Sequence, residues 1–433
     1  MPSRRNVILG ALGAAGLAAW LKPKDKGGVY TPYFTELNQT LKDAGIGTPS
    51  LIIDLDRLDR NIDRITQTLG TAPWLSYRVV TKSVPSPELV RYISERASTQ
   101  AQMIFHLPFL LATTRVTPDA DILIGKPFPI AAVEDFYRKH TGAFDPEKQL
   151  QWLVDTTARL QQYLDFAREN QLTLRVNLEL DVGLHRGGFV ADEALSDALG
   201  IIRANPQHLT FSGFMGYDAH LMGIPSALAK RELPKVKARY QAALDLLDSQ
   251  FQDLVTQNLC FNGAGSPTFR NYQDKPLLTE VSAGTCLMKP THYDIASLED
   301  FEPAAYIASP VLKRGQGGRL PALEWTAPLI RAWDPNQAQM YFGYSGNWMA
   351  DMASPPGLTS HFAYKSSNQE GYQASNKVEL DVDDFIFLRP QQSEAVLLQF
   401  GDLLAVRGNT IEARWPVLSG TGHAYSVTKV VDG

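Results

Sequence analysis

The chain is long and moderately charged. It has 433 residues, of which 44% are hydrophobic and 20% are charged. At ~150 residues per domain, this length predicts two or three domains with sizeable cores and excludes a disordered or fibrous protein. Lys and Arg number 41 against 46 Asp and Glu, a formal net charge of -5. Without a basic excess the chain is not expected to bind nucleic acid, so a small-molecule partner is favoured.

Cysteine usage excludes two further classes of protein. The only cysteines are Cys260 and Cys286. Two cysteines are too few for a disulfide scaffold, and this pair lacks the spacing of a structural zinc site. We predict that both are buried thiols.

The N-terminus carries a targeting pattern. Arg4 and Arg5 precede an uncharged run rich in Gly and Ala, residues 7–21, which ends at the basic residues 22–24. This order is typical of a twin-arginine export signal, and the run is shorter than the ~20 residues that span a bilayer. We predict that residues 1–24 are a signal or anchor, that the protein is periplasmic or attached to the inner membrane, and that it contacts the export machinery transiently. An untranslocated tail on a cytoplasmic protein is the alternative.

From residue 48 to residue 282, short apolar runs alternate with amphipathic helical patterns. In one predicted helix, over residues 87–97, Ser86 can cap the N-terminus, Pro87 takes the first helical position, and Leu89, Val90, Ile93 and Ala97 form the apolar stripe. Eight alternations over roughly 240 residues match a (β/α)8 barrel better than a doubly wound sheet, whose G-x-G-x-x-G turn is missing. The candidate strands are residues 51–53, 77–80, 103–105, 122–124, 152–154, 174–178, 209–211 and 259–261.

The pattern changes after about residue 301. Short apolar runs are then separated by Gly, Pro and Asn and show little helical periodicity, which is typical of a β-rich domain. We therefore predict an α/β fold in which a TIM-type barrel, residues 25–300, precedes a β-rich domain, residues 301–433. The apolar runs of the second domain are residues 305–308, 323–325, 339–342, 385–388, 395–398 and 411–415.

Lys82 is the strongest candidate for a catalytic residue. It follows the predicted strand at residues 77–81 and precedes a turn, so the barrel places its amine at the C-terminal face, where barrel enzymes have their active sites. A lysine there can form a Schiff base with a carbonyl cofactor. Taken alone it is more often a surface residue. Arg78, on the same face of the strand, makes a functional cationic environment more plausible.

Two Gly-rich turns come late in the predicted barrel. Residues 262–268, N-G-A-G-S-P-T, follow the strand that ends at Phe261, and residues 282–285, S-A-G-T, follow another apolar run. Their N–H groups and hydroxyls can wrap a phosphate at the last strands, where barrels commonly hold one. Two tight turns selected only for positive φ are the alternative.

An ordered set of motifs then supports a family resemblance. Residues 47–62, GTPSLIIDLDRLDRNI, and residues 78–82, RVVTK, resemble the opening and the R-x-x-x-K Schiff-base motif of fold-type III pyridoxal-phosphate proteins, the alanine racemase-like barrels. Within that group the order and spacing are most similar to the D-threonine aldolase and D-serine dehydratase branch. The remaining matching segments are residues 181–188, 213–220, 263–268 and 279–285.

The resemblance implies pyridoxal 5'-phosphate as cofactor and assigns roles to single residues. Lys82 would hold the cofactor with Arg78 beside it, and the phosphate ligands would be Gly263, Gly265, Ser266, Gly284 and Thr285. Arg186 would lie beside the pyridine ring, although an ion pair with Asp181 is an alternative role. Tyr217 would touch the cofactor, and His220 could take a proton from a substrate hydroxyl. The resemblance also implies a homodimer.

The resemblance breaks where the branch binds a divalent metal. The branch has a P-N-H-x-[C/D] segment, but residues 389–394 read R-P-Q-Q-S-E, with Gln392 at the histidine and Glu394 at the second ligand. Residues 367–371, S-N-Q-E-G, also lack the histidine of an S-E-E-H-G segment. Gln is a poor transition-metal ligand, so a tight metal site is doubtful. Glu394 remains a weak candidate ligand for Mg²⁺ or Mn²⁺, or a base. His423 and Tyr425 are expected to be structural.

Together these observations predict a pyridoxal-phosphate lyase acting on small D- or 3-hydroxy amino acids. The catalytic candidates are Lys82, His220 and Glu394. D-threonine aldolase-like Cα–Cβ cleavage ranks first, D-serine dehydratase-like deamination second and racemisation third. A non-catalytic pyridoxal-phosphate-binding protein is the alternative from a different class.

The export signal can be tested in vivo. Replacing Arg4 and Arg5 together by Lys should leave most of the protein in the cytoplasm, because the twin-arginine receptor reads paired guanidinium groups and not charge alone. Fractionation of periplasm and cytoplasm measures the effect, and a double replacement of Lys22 and Lys24 by Arg is the charge-matched control. An unchanged distribution of the Arg4/Arg5 variant would support the untranslocated tail.

Overall fold

A computed structural model describes residues 22–418, which fall into two compact units. The barrel unit comprises residues 53–304, 392–405 and the described residues that follow 413, and the sheet unit comprises residues 22–52, 305–391 and 406–412. Almost all of the predicted export segment, as well as His423 and Tyr425, lies outside the described residues. Among residues 22–418, no helix combines the length and the apolar character needed to cross a membrane.

The barrel unit contains a closed barrel of eight strands. Each strand pairs in parallel with the next along the chain, and β2 closes the ring by pairing with β9, so that Tyr77 lies opposite Val281. The predicted (β/α)8 barrel is thereby confirmed. The strands are β2 (Ser76–Val80), β3 (Ala101–Ile104), β4 (Asp121–Ile124), β5 (Leu150–Val154), β6 (Leu174–Glu179), β7 (Leu209–Gly216), β8 (Cys260–Gly263) and β9 (Glu280–Ala283).

Helices connect most of these strands. Capping and apolar periodicity determine where these helices begin. The carboxylate of Asp54 accepts from the N–H of Arg57 at the start of α2 (Leu55–Gly70), and Pro87 occupies the first turn of α3 (Pro87–Arg96). Leu89, Val90 and Ile93 of the predicted stripe are buried, whereas Ala97 is half-buried and lies one residue past the end of the helix at Arg96. The helices are α2 (Leu55–Gly70), α3 (Pro87–Arg96), α4 (Leu107–Val116), α5 (Ile130–Lys139), α6 (Pro146–Gln149), α7 (Thr157–Asn170), α8 (Glu193–Ala204), α9 (Ser226–Gln250) and α10 (Thr285–Met288).

The first predicted barrel strand is wrong. The run at residues 51–53 forms β1 (Ser50–Asp54), which belongs to the other sheet between β10 (Ala305–Gln316) and β16 (Asp402–Arg407). The eighth barrel strand is instead β9, which overlaps the apolar run at residues 277–281. A buried strand is apolar on both faces in either sheet, so its composition does not select its partners.

The second sheet has nine strands in the order β13-β14-β11-β10-β1-β16-β17, and β15 pairs with both β10 and β12. The pairs β10–β11, β11–β14 and β10–β15 are antiparallel. The predicted β-rich second domain is confirmed. Its other strands are β11 (Gln339–Tyr344), β12 (Ala350–Ser354), β13 (Thr359–Ser360), β14 (Gln369–Ala374), β15 (Phe385–Pro390) and β17 (Thr410–Pro416).

Two runs predicted as strands of the second domain are helical. Residues 323–325 lead into a 3-10 turn, Glu324–Thr326, and then α11 (Ala327–Trp333). Residues 395–398 overlap α12 (Ser393–Val396) and the 3-10 turn that follows it. Apolar runs of three or four residues do not distinguish strand from helix, so only packing decides. The remaining helix of the sheet unit is α1 (Pro32–Asp43).

Two polar features of the sequence have structural roles. Glu370, in the segment that lacks the family histidine, is buried in the sheet unit and accepts hydrogen bonds from Asn347 N at 2.6 Å, Ser360 Oγ at 2.7 Å and Tyr372 Oη at 3.2 Å. The side chain of Glu370 therefore holds loops of the sheet unit in place.

Both cysteines are free and buried, as predicted.

Candidate active site

The C-terminal ends of the barrel strands surround one cavity within the barrel unit. Its empty volume, which includes open solvent at the mouth, is about 570 Å³. Most predicted site residues line it: Lys82, Arg186, Tyr217, Gly265, Ser266, Gly284, Thr285 and Glu394. The rest of the wall is formed by Val80, Ser83, Met103, Phe105, Gly125, Met215, Asn262, Ala264, Ser282, Ala283 and Tyr293.

Lys82 projects its amine into this cavity from the 3-10 turn that follows β2. Its Nζ lies 3.6 Å from Oε1 of Glu394 and 4.8 Å from the ring centroid of Phe105. The Lys82 side chain is 38% exposed and that of Glu394 is 33% exposed. The amine therefore has access to a ligand from the cavity, with one carboxylate and one aromatic face beside it.

A chain of hydroxyl groups extends from Glu394. Ser83 Oγ lies 3.2 Å from Glu394 Oε1 and 2.8 Å from Thr285 Oγ1, and Thr285 is also hydrogen-bonded to Tyr293. Burial raises the pKa of the Tyr293 phenol, so this group keeps its proton at neutral pH. The network can move a proton between the carboxylate and the opposite wall through hydroxyl groups.

The two glycine turns need glycine because the chain packs closely there. A Cβ on Gly284 would lie 2.6 Å from the carbonyl oxygen of Val80, and one on Gly265 would lie 2.8 Å from Cε2 of Tyr217. Both distances are far shorter than normal contacts. Side-chain-free backbone at these positions brings the turns against β2 and Tyr217 and forms the closed end of the cavity.

Side-chain hydrogen bonds fix the two turns relative to each other. Ser266 Oγ accepts from the N–H groups of Gly284 and Cys286 at 3.2 and 3.1 Å. Thr268 Oγ1 accepts from Gly265 N at 3.0 Å and donates to the buried carboxylate of Asp218 at 2.6 Å. Burial raises the pKa of Asp218, although the hydrogen bonds from Thr268 and Tyr272 partly offset this effect. Asp218 is thus the anchor of the first turn.

Arg186 and Tyr217 form the polar part of the rim. The guanidinium carbon of Arg186 lies 5.4 Å from the ring centroid of Tyr217. The alternative ion pair of Arg186 with Asp181 is wrong: Asp181 accepts instead from His185 Nδ1 at 2.9 Å, and Arg186 Nη2 lies 4.0 Å from Glu179. Arg186 is 55% exposed, so its charge is available to a ligand carboxylate or ring substituent.

Arg78 is not a lining residue, which corrects its assignment as a cofactor ligand. Its side chain is fully buried inside the barrel, where it donates to both carboxylate oxygens of Glu280 and, at 2.9 Å, to Asp121 Oδ2. Burial opposes its charge, but Glu280 and Asp121 raise the pKa of Arg78 overall. Glu280 also accepts from Asn262, which lines the cavity, so Arg78 acts on the site only through that layer.

His220 and Gly263 also lie outside the cavity wall. His220 sits in a 3-10 turn, Ala219–Leu221, with its Nε2 3.3 Å from the position of a Cβ on Gly183. Among residues 22–418 no hydrogen-bond partner is present for either ring nitrogen. Gly263 ends β8 and packs against Leu278. Tyr217, which directly follows β7, lines the cavity, whereas His220, three residues later, does not.

The segment compared with the family's metal site provides one carboxylate at the cavity. Glu394 faces Lys82, whereas Gln392 Nε2 lies 3.5 Å from Nδ1 of His292. Within residues 22–418, no three His, Cys, Asp or Glu side chains are arranged to hold a metal ion. The donors present are an amide, an imidazole and one carboxylate that already contacts an amine, which fit a transition metal poorly.

Several functional residues were missed from the sequence. Ser83, Phe105 and Tyr293 line the cavity, and Asp218 anchors a turn. Phe105 follows β3, so its position after a barrel strand was an available signal. Tyr293 lies in an irregular segment after α10, where nothing in the local sequence indicates a site.

The donor set of the cavity fits pyridoxal 5'-phosphate. A primary amine for an aldehyde, two turns with N–H and hydroxyl groups for a phosphate, and an aromatic and cationic wall for a flat ring all face one space. Lys82 would hold the aldehyde carbon, and Gly265, Ser266, Gly284 and Thr285 would hold the phosphate. A barrel with this site, together with a β-rich second domain, defines the fold-type III class of pyridoxal-phosphate proteins.

The chain belongs to the family of the alanine racemase N-terminal domain, whose profile matches residues 53–291. This family depends on pyridoxal phosphate, acts on small amino acids and often forms dimers. No curated protein matches the chain by sequence.

Solved structures share the fold over most of the chain. D-threonine aldolase from Filomicrobium marinum is 16% identical, with a TM-score of 0.68 over 88% of this chain and 96% of that one. D-threo-3-hydroxyaspartate dehydratase from Delftia sp. HT23 is 18% identical, with a TM-score of 0.65 over 86% and 98%. Alanine racemase from Bacillus anthracis is 12% identical, with a TM-score of 0.63 over 85% and 97%. At these identities the likeness shows the fold alone.

The role of Lys82 can be tested chemically. Borohydride treatment of the purified protein loaded with pyridoxal phosphate should fix the cofactor to the peptide that contains Lys82, and Lys82→Ala should abolish the linkage. Peptide mass spectrometry and the absorbance of the protonated Schiff base measure this. Lys126→Ala, another lysine just after a barrel strand, should keep the linkage. Modification of any other lysine would contradict the assignment.

Proposed function

We propose that the protein is a pyridoxal-phosphate-dependent lyase that cleaves the Cα–Cβ bond of small D- or 3-hydroxy amino acids, as a D-threonine aldolase does. The observation that carries the proposal is the Glu394 carboxylate, 3.6 Å from the amine of Lys82 in the same cavity. A retro-aldol reaction needs a base for the β-hydroxyl proton close to the group that carries the cofactor. Glu394 occupies such a position.

Each group of cavity residues has its own role in this reaction. The cofactor, when bound, supplies an electron sink that stabilises negative charge at Cα. Arg186 at the rim pairs with the substrate carboxylate and thereby orients the Cα–Cβ bond. Glu394 takes the proton of the β-hydroxyl, and the Ser83 hydroxyl that bonds it holds the carboxylate in place. Phe105 and Met103 exclude water from the same wall.

Racemisation is less well supported by this arrangement. It requires proton donors on two opposite faces of Cα. Lys82 and Glu394 are adjacent, and burial raises the pKa values of Tyr217 and Tyr293. Neither phenol is poised to give up a proton near neutral pH. The single carboxylate of Glu394 beside the amine of Lys82 therefore favours Cα–Cβ bond cleavage over proton exchange on both faces of Cα.

Dehydration is the second candidate, and the hydroxyl chain favours it. Removal of the Cα proton by Lys82 must be accompanied by protonation of a leaving β-hydroxyl. Glu394, which lies beside the amine and accepts a hydrogen bond from Ser83, can deliver that proton when it is protonated. Loss of the β-hydroxyl as water leaves an unsaturated amine, which tautomerises to an imine, and a water molecule then hydrolyses the imine to a 2-keto acid and ammonia.

Product analysis separates these functions. The holoprotein is incubated with D- and L-forms of threonine, serine and 3-hydroxyaspartate, and the products are identified by chromatography. We expect glycine and an aldehyde from a D-3-hydroxy amino acid. Formation of a 2-keto acid with ammonia would identify the protein as a dehydratase and not an aldolase, and formation of the opposite enantiomer would identify it as a racemase. No turnover of any member would support a binding protein.

The same assay tests the need for metal. Because Gln392 offers a neutral amide where the branch has an imidazole, exhaustive chelation should leave most of the activity intact. The assay is repeated after dialysis against chelator and after addition of Mn²⁺, Mg²⁺ or Zn²⁺. Loss of activity that one of these ions restores would contradict the prediction and return Glu394 to the role of a ligand.

Glu394→Gln tests the proposed base directly. This variant keeps the shape of the side chain but removes the acceptor of the proton, so turnover should fall by about 10²- to 10⁴-fold while cofactor binding changes little. Steady-state kinetics and cofactor absorbance measure the two effects. Glu95→Gln, an exposed glutamate of α3, is the matched control. A parallel loss of cofactor would show that Glu394 acts in binding instead.

A further inference from the structure

A helical segment of the sheet unit, made of the 3-10 turn Glu324–Thr326 and α11, exposes large apolar side chains. Trp325, Leu329 and Trp333 are 73%, 67% and 45% exposed, and they follow one another at intervals of four residues. In a helical segment this spacing places them on one side. We name these three side chains the α11 face. A contiguous exposed apolar surface of this kind usually marks a place of interaction.

The α11 face is held on an ordered base. Ala327 on the inner side of the helix is buried, and Arg331 Nη1 donates to the carbonyl of Gly317 at 3.0 Å. Thr326 Oγ1 donates to the carbonyl of Leu323 and closes the preceding turn at 2.7 Å. The two tryptophans and the leucine therefore project from an ordered helical segment and not from an irregular loop.

The described chain begins beside the end of this face. Three residues after Trp333, Asn336 accepts from the N–H of Lys26 and donates to the carbonyl of Lys24, both at 2.8 Å. The chain that leads back from Lys24 to the uncharged residues 7–21 thus starts next to the α11 face. Both features belong to the sheet unit.

The charge pattern around the face favours a lipid surface over a protein surface. Lys22, Lys24, Lys26 and Arg319 are exposed, and the acidic residues of the same segments are fewer: Asp25 and Glu324, which are exposed, and Asp334, which is half-buried. Trp prefers the level of lipid headgroups because its ring is apolar and its N–H is polar. Basic residues beside an apolar helix face are attracted to anionic lipids.

We propose that the α11 face is a peripheral membrane contact. Trp325, Leu329 and Trp333 enter the interface of a bilayer that contains anionic lipids, and the lysines of residues 22–26 face the headgroups. The barrel cavity takes no part in the proposal, which is therefore independent of the proposed reaction. The contact would hold the enzyme at a membrane whether or not residues 1–21 are retained.

Vesicle binding tests the proposal with the full chain. The protein is sedimented with vesicles of phosphatidylethanolamine and phosphatidylglycerol, and the bound fraction is compared with that of a variant carrying Trp325→Ser, Leu329→Ser and Trp333→Ser. We expect the partition coefficient to fall by about tenfold or more. Phe362→Ser removes an aromatic side chain that is 77% exposed elsewhere in the sheet unit and should leave partitioning unchanged. Residues 1–21 are present in every variant, so the difference reports on the α11 face.

Three outcomes would overturn the proposal. One is equal partitioning of the triple variant and the unchanged protein. Another is a loss of self-association in sedimentation velocity without a change in lipid binding, which would make the face an interface between two copies. The third is binding that Phe362→Ser weakens as much as the triple variant does. If the triple variant loses its circular dichroism, Trp325→Ser alone gives the same comparison with the most exposed side chain.

Discussion

The buried guanidinium of Arg78 is the constraint on which the barrel and its site depend. It contacts Glu280 on β9 and Asp121 on β4 while it lies on β2, so one positive charge connects three strands inside the ring. Removing one partner of the buried Arg78–Glu280 pair costs about 3–5 kcal/mol, because the remaining charge is left unpaired and out of contact with solvent. The same Glu280 holds Asn262 beneath the cavity. The same Arg78–Glu280 pair that connects the barrel strands therefore also holds a residue of the cavity wall, Asn262, in place.

Above that floor, the site depends on close backbone packing. Gly265 and Gly284 allow two turns to approach Tyr217 and Val80 more closely than any side chain permits. Ser266 then connects the turns through two N–H groups, and Asp218 fixes Thr268 from below. These bonds occupy the N–H groups of Gly265 and Gly284, so a bound phosphate would replace Thr268 Oγ1 and Ser266 Oγ as their acceptors. The reactive amine and its carboxylate remain at the more open side.

Much of this arrangement was available from the sequence, and the exceptions share one cause. Lys82, Ser266 and Thr285 were placed correctly at the cavity because each follows a strand of the barrel. The R-x-x-x-K motif predicts Arg78 beside the cofactor, but the strand directs this side chain into the barrel interior, where it is fully buried. The motif around His220 predicts a catalytic role, but this residue lies in the 3-10 turn after β7 and does not line the cavity.

The alternation of strands and helices, the change to a β-rich pattern after residue 301 and the lysine after a strand are all predictable from the amino-acid sequence. They depend on periodicity, capping and turn residues, which involve near neighbours in the chain. Three features become visible only in the folded chain: β1 joins the second sheet, β9 closes the barrel, and Glu394 lies beside Lys82 although more than three hundred residues separate them. Contacts between distant segments depend on packing and burial, which local patterns do not encode.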